Sequence, residues 1–70
     1  MKVTHTQTIC WAIKHLESER AIALDRAGKA KEAGMADLQN AFVDEAANYN
    51  NAIGTLAQLY EIETGKEYCG

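Results

Sequence analysis

One break, at Gly34, divides this chain into two stretches in which apolar residues recur every three or four positions, and no proline interrupts either stretch. In the first, Ile9, Ile13, Leu16, Ala23, Ala27 and Ala30 step at helical spacing, with Arg20 in the one missing step. In the second, Leu38, Phe42, Tyr49, Ile53, Leu56 and Tyr60 share a face, and Ala46 fills the gap between Phe42 and Tyr49. That period belongs to a helix; a half-buried strand would alternate instead. Twelve alanines reinforce the pattern, because Ala has the highest intrinsic helix propensity and Pro the lowest. Thr4 and Gln7 have the spacing of a capping box, with Thr6 and Thr8 as competing caps. Lys31 suits the C-terminal end of a helix macrodipole, Asp37 suits an N-terminal first turn, and Gly34 can adopt the left-handed cap. The expected fold is all-α: a single domain, 1–70, forming a long antiparallel αα-hairpin. Helix one should run about 5–33 and helix two about 36–64, ended by Gly65 and followed by a short tail, 65–70.

Two glycines fall inside these helices, and each costs about 1 kcal/mol relative to Ala. Gly54 lies on a small-residue row with Ala47 and Ala57, while helix one offers Ala23, Ala27 and Ala30. The expectation is a close approach of the two backbones that offsets the cost. Gly28 would alternatively kink helix one or end it early.

Composition excludes several classes. At 47% hydrophobic and 24% charged, the chain is too apolar for intrinsic disorder. The longest uncharged run, 46–60, is broken by Asn48, Asn50, Asn51 and Gln58, so no membrane span is expected. The start, Met-Lys-Val-Thr-His-Thr-Gln, lacks the apolar region of a secretory signal. A net charge of −3 disfavours attraction to nucleic acid or anionic membrane, and double-stranded nucleic acid would need a longer basic track. Cys10 and Cys69 are too few for a disulfide scaffold, which fits a reduced, cytoplasmic protein.

Two helices bury only one stripe each, and small scaffolds need external support. Trp11 and Ile22 lie roughly opposite the stripe of helix one, and Ala41, Leu59 and Ile62 lie off that of helix two. A lone hairpin would expose them, so Trp11, Ile22, Leu59 and Ile62 are expected interface residues of a homo-oligomer, a four-helix bundle or closed ring. The alternative is a monomer with a third short helix over 3–11, or one in which helix one begins later and Trp11 folds back over its own core.

Few residues point to chemistry. His15 and Glu19 share a helix face, and Cys10, His15 and His5 are possible zinc ligands, but no paired-ligand spacing accompanies them and no metal or cofactor is expected. The acid pairs Glu17/Glu19, Asp44/Glu45 and Glu61/Glu63 are one or two residues apart and point to different faces. No nucleophile arrangement or phosphate loop is present, so no catalytic residue is expected and the protein is read as a non-enzyme. The basic residues Arg20, Arg26, Lys29 and Lys31 concentrate in the second half of helix one. Asp25 with Lys29 fits an ordinary ion pair at i, i+4. Arg20, at a buried step, needs either a carboxylate such as Glu45 or a bound anion. Asn48, Asn50 and Asn51 around Tyr49 are poor helix formers, which points to a specific contact, either oligomer register or a ligand. The candidate ligand-binding residues are therefore Arg20, Arg26, Lys29, Tyr49, Asn50 and Asn51.

The run Asp44-Glu45-Ala46-Ala47-Asn48-Tyr49-Asn50-Asn51-Ala52-Ile53 resembles the second helix of phage-encoded helical hairpins that sequester cyclic nucleotide immune signals, the anti-CBASS and anti-Thoeris sponges. Helix one shows no match, so no binding residue is carried over. The resemblance implies two long helices, oligomerisation, basic residues near inter-subunit seams, no catalysis and, for a phage-encoded chain, the host cytoplasm. The functional expectation is an oligomeric hairpin that sequesters an anionic small molecule of the nucleotide class. The alternative is a protein-binding inhibitor or adaptor that uses its apolar face.

Overall fold

The computed structural model describes residues 4–68, and in it α1 (His5–Glu32) and α2 (Ala36–Thr64) pack side by side as a hairpin. The capping box starts α1: the Gln7 amide donates to Thr4 Oγ1 at 3.1 Å, and the Thr4 amide donates to Gln7 Oε1 at 2.9 Å. Thr8, one of the competing caps, instead donates its hydroxyl to the Thr4 carbonyl at 3.2 Å. Among the described residues no third helix forms, because residues 5–11 are the first turns of α1.

α1 ends as the glycine requires. Gly34 has φ +72°, its amide donates to the Lys31 carbonyl at 3.0 Å, and the Met35 amide donates to the Ala30 carbonyl at 2.9 Å. This pair of bonds is a Schellman turn, which satisfies carbonyls that the helix end would otherwise leave open. Met35 begins α2 without a side-chain cap. At the far end Gly65, φ +68°, closes α2 with its amide on the Glu61 carbonyl at 2.7 Å. Beyond it Tyr68 turns back so that its ring meets Tyr60 edge-on, centroids 5.2 Å apart. Cys69 and the last residue of the expected tail lie outside the described residues.

The core is thin. Ile13, Ala23, Ala27, Ala30 and Ala46 are buried, and Ile13 alone among the large described side chains is fully so. Alanines on α1 therefore do let α2 approach, as their spacing predicts. The close approach expected at Gly54 is not found, however, and Gly28 does not end α1 early. A Cβ built on either glycine meets nothing within 4 Å, and α1 runs on past Gly28 to Glu32. Gly54 and Ala47 are exposed and Ala57 is half-buried, so their row only skirts the seam.

The molecule extends 47 × 23 × 15 Å with a radius of gyration of 15.0 Å, against roughly 11 Å for a compact chain of this length. It is a single layer of two helices with two open sides. Trp11 (67% exposed), Ile22, Leu59 and Ile62 (77%) all stand in solvent in the single hairpin, as their off-stripe spacing requires. Trp11 folding back over the core is excluded here, since α1 already begins at His5 and the indole points outward. Leu38, assigned to the stripe, is exposed as well, beside the small Ala30 and Ala33 near the turn. Leu24, Met35 and Val43 join the exposed set.

Candidate functional site

Where the helices meet the turn, a groove of about 280 Å³ opens between them, lined by Arg26, Lys29, Ala30, Ala33, Met35, Leu38 and Phe42. Its floor is apolar because α1 presents alanines there and α2 presents Phe42 and Leu38 one turn apart. Its rim carries two cations, because Arg26 and Lys29 fall on the outer edge of the same α1 turn. Lys29 Nζ lies 3.2 Å from Asp25 Oδ2, and both side chains are largely exposed, so the pair is a weak, exchangeable one.

One step further from the turn, the half-buried Tyr49 donates its hydroxyl to Glu45 Oε1 at 3.1 Å. That hydrogen bond, then burial, then the negative charges of Glu45 and Glu19 hold the phenol above its ordinary 10.0, and the nearby charge of Arg26 opposes the rise. Glu19, Arg26, Glu45 and Tyr49 thus form one electrostatic neighbourhood next to the groove.

Arg20 lies on the other side of the seam. Its Nη1 donates to Asn50 Oδ1 at 2.7 Å across the two helices. The expected carboxylate partner, Glu45, is instead held by Tyr49 on the opposite side. The guanidinium has five N–H donors, and this bond occupies one of them. Asn51 faces outward and is exposed, with its carbonyl accepting from the Thr55 hydroxyl at 3.2 Å. Within one hairpin the candidate ligand residues therefore separate. Arg26 and Lys29 line the groove with Tyr49 beside them, Arg20 and Asn50 pair on the other side, and Asn51 stands apart. The groove's apolar residues were not anticipated as ligand contacts; the signal for them was Met35 directly after Gly34 and Leu38 in the first turn of α2, an apolar pair at a helix start.

Among the described residues, no group of three or more His, Cys, Asp or Glu side chains is placed to hold a metal ion. His15 is stacked on Trp11, centroids 5.7 Å apart and planes 6° from parallel. No described helix is long and apolar enough to cross a membrane. No described protein family, curated protein or solved structure matches this chain.

Proposed function

We propose that this chain is a non-enzymatic, self-associating hairpin that binds and sequesters an anionic small molecule with a flat apolar portion, a nucleotide being the class that fits. The observation that carries the reading is the groove in which Arg26 and Lys29 border a floor of Ala30, Met35, Leu38 and Phe42. A phosphate suits the fork of Arg26, and a base suits the apolar floor beneath it. Lys29 gives up only an exposed ion pair to join in. The resemblance of residues 44–53 to the phage sponges supports a nucleotide signal as ligand and the host cytoplasm as the place of action.

Calorimetry across mono-, di- and cyclic nucleotides tests this. Binding by one class is expected, and Arg26→Ala should weaken it roughly tenfold to a hundredfold, the worth of a hydrogen bond to a charged group. A null result across the whole panel overturns the reading. Arg20→Ala reports on the other cluster: a loss larger than that of Arg26→Ala would move the site to the Arg20–Asn50 side. The second reading, a protein-binding inhibitor or adaptor, is favoured by the exposed Trp11 and Ile22. A tagged pull-down separates the two, since a co-purifying nucleotide supports sequestration and one stoichiometric protein partner supports the adaptor.

A further inference from the structure

We propose that Trp11 of one copy docks into a pocket on a second copy of this chain, bounded by His5, Thr8, Ile9, Leu59 and Glu63, and that the contact is reciprocal about a two-fold axis. The inference rests on the self-association in the reading above and names its surface.

The pocket, about 260 Å³ and mostly apolar, lies between the first turns of α1 and the last turns of α2. Trp11 stands beside it, three residues from Thr8 and therefore on a neighbouring row of the same helix. Projection and pocket thus share one side of the molecule, which is what an isologous contact requires: each copy gives the residue that the other receives. The indole is two-thirds exposed, yet its ring is fixed flat against His15. That stack holds a large apolar surface in one orientation in the free chain and so lowers the ordering cost of docking. A buried indole also needs an acceptor for its N–H, and the Glu63 carboxylate on the pocket rim supplies one.

The broad side of the hairpin measures 47 by 23 Å, so its half next to the termini offers on the order of 500 Å² per partner. That is the low end for a specific interface, and the dimer should come apart on dilution. Leu59 and the adjoining Ile62 come under cover with Trp11, while Ile22, three turns along α1, stays outside. Arg26 is fifteen residues from Trp11, about 22 Å along the helix, so the turn-end groove remains open.

Sedimentation with the fluorescence of the single tryptophan tests the contact. Dimer mass with blue-shifted emission is expected at high concentration, and both should revert together on dilution. Trp11→Ala and Leu59→Glu, both surface changes, should each be helical by circular dichroism and monomeric. Mixed one to one they should associate more than either does alone, though more weakly than wild type, because one of the two reciprocal contacts is intact. Glu63→Gln should weaken the dimer several-fold without loss of helicity. A wild-type chain that is monomeric throughout overturns this contact and the self-association together. A dimer whose tryptophan emits as hydrated indole overturns only the docking, as does emission that is blue-shifted and indifferent to dilution, or a Trp11→Ala chain that dimerises as well as wild type. Nucleotide binding at the groove is read separately and is unaffected by these outcomes.

Discussion

Tyr49 and Glu45 share one proton-dependent bond, and its sign with pH follows from which partner donates. Loss of the phenol proton would set a phenolate against the Glu45 carboxylate, so folding favours the protonated ring and its value lies above 10.0. The stabilisation is whole below the unfolded value and disappears as pH rises through the raised one. Wild-type protein should therefore keep its melting advantage over Tyr49→Phe up to about pH 9 and lose it only above the ordinary tyrosine value of 10.0, as thermal melts of both across that range would read. In Glu45→Gln, phenolate absorbance should titrate closer to the ordinary tyrosine range. The same pair explains why Arg20 does not meet Glu45, one of its two expected partners. Sequence reasoning matched charge to charge, but the phase of α2 sets the neutral Asn50 across from Arg20 and turns Glu45 to the far side of the seam.

At the scale of the helices, the four glycines at 28, 34, 54 and 65 divide by conformation. Gly34 and Gly65 need positive φ, whereas Gly28 and Gly54 are helical with open space at the missing Cβ. Gly28→Ala and Gly54→Ala should each raise stability by about 0.5–1 kcal/mol, and Gly34→Ala should lower it by a similar amount or more. Thermal melts at fixed concentration check all three, with a shift of roughly 4–8 °C per kcal/mol for a chain this small. Both helices and their ends were legible because caps are local: Thr4 with Gln7, and Gly34 after Lys31, carry their own geometry. The small-residue row at Gly54 was not legible, because whether a row touches depends on the relative rotation of two helices, which no single stripe specifies. The groove was half legible. Arg26 and Lys29 follow from charge clustering, while its floor depends on how the turn presents Met35 and Leu38 to Phe42.

The whole molecule rests on few buried atoms. Ile13 is the one large described side chain fully out of water, and a truncation such as Ile13→Ala costs about 2–5 kcal/mol. A 70-residue chain holds only about 4–10 kcal/mol in total. Ile13→Ala should therefore cut the urea midpoint by about half or abolish the cooperative transition, and circular dichroism against urea reads either. The antiparallel pairing gives the hairpin a gradient as well as a margin. Partners near the turn, such as Ala30 and Leu38, are close in sequence; Arg20 and Asn50 are 30 residues apart, and Ile9 and Leu59 are further still. Each doubling of that separation adds about 0.6 kcal/mol to the entropy of closing the loop. Loop-closure entropy therefore favours pairing from the Schellman turn outward, like a zip fastener. The rungs that carry Trp11 close the longest loop, and Ile13, two residues away, is the buried side chain that clasps them, so the same turns of α1 hold the hairpin's deepest anchor on one face and its most prominent indole on the other.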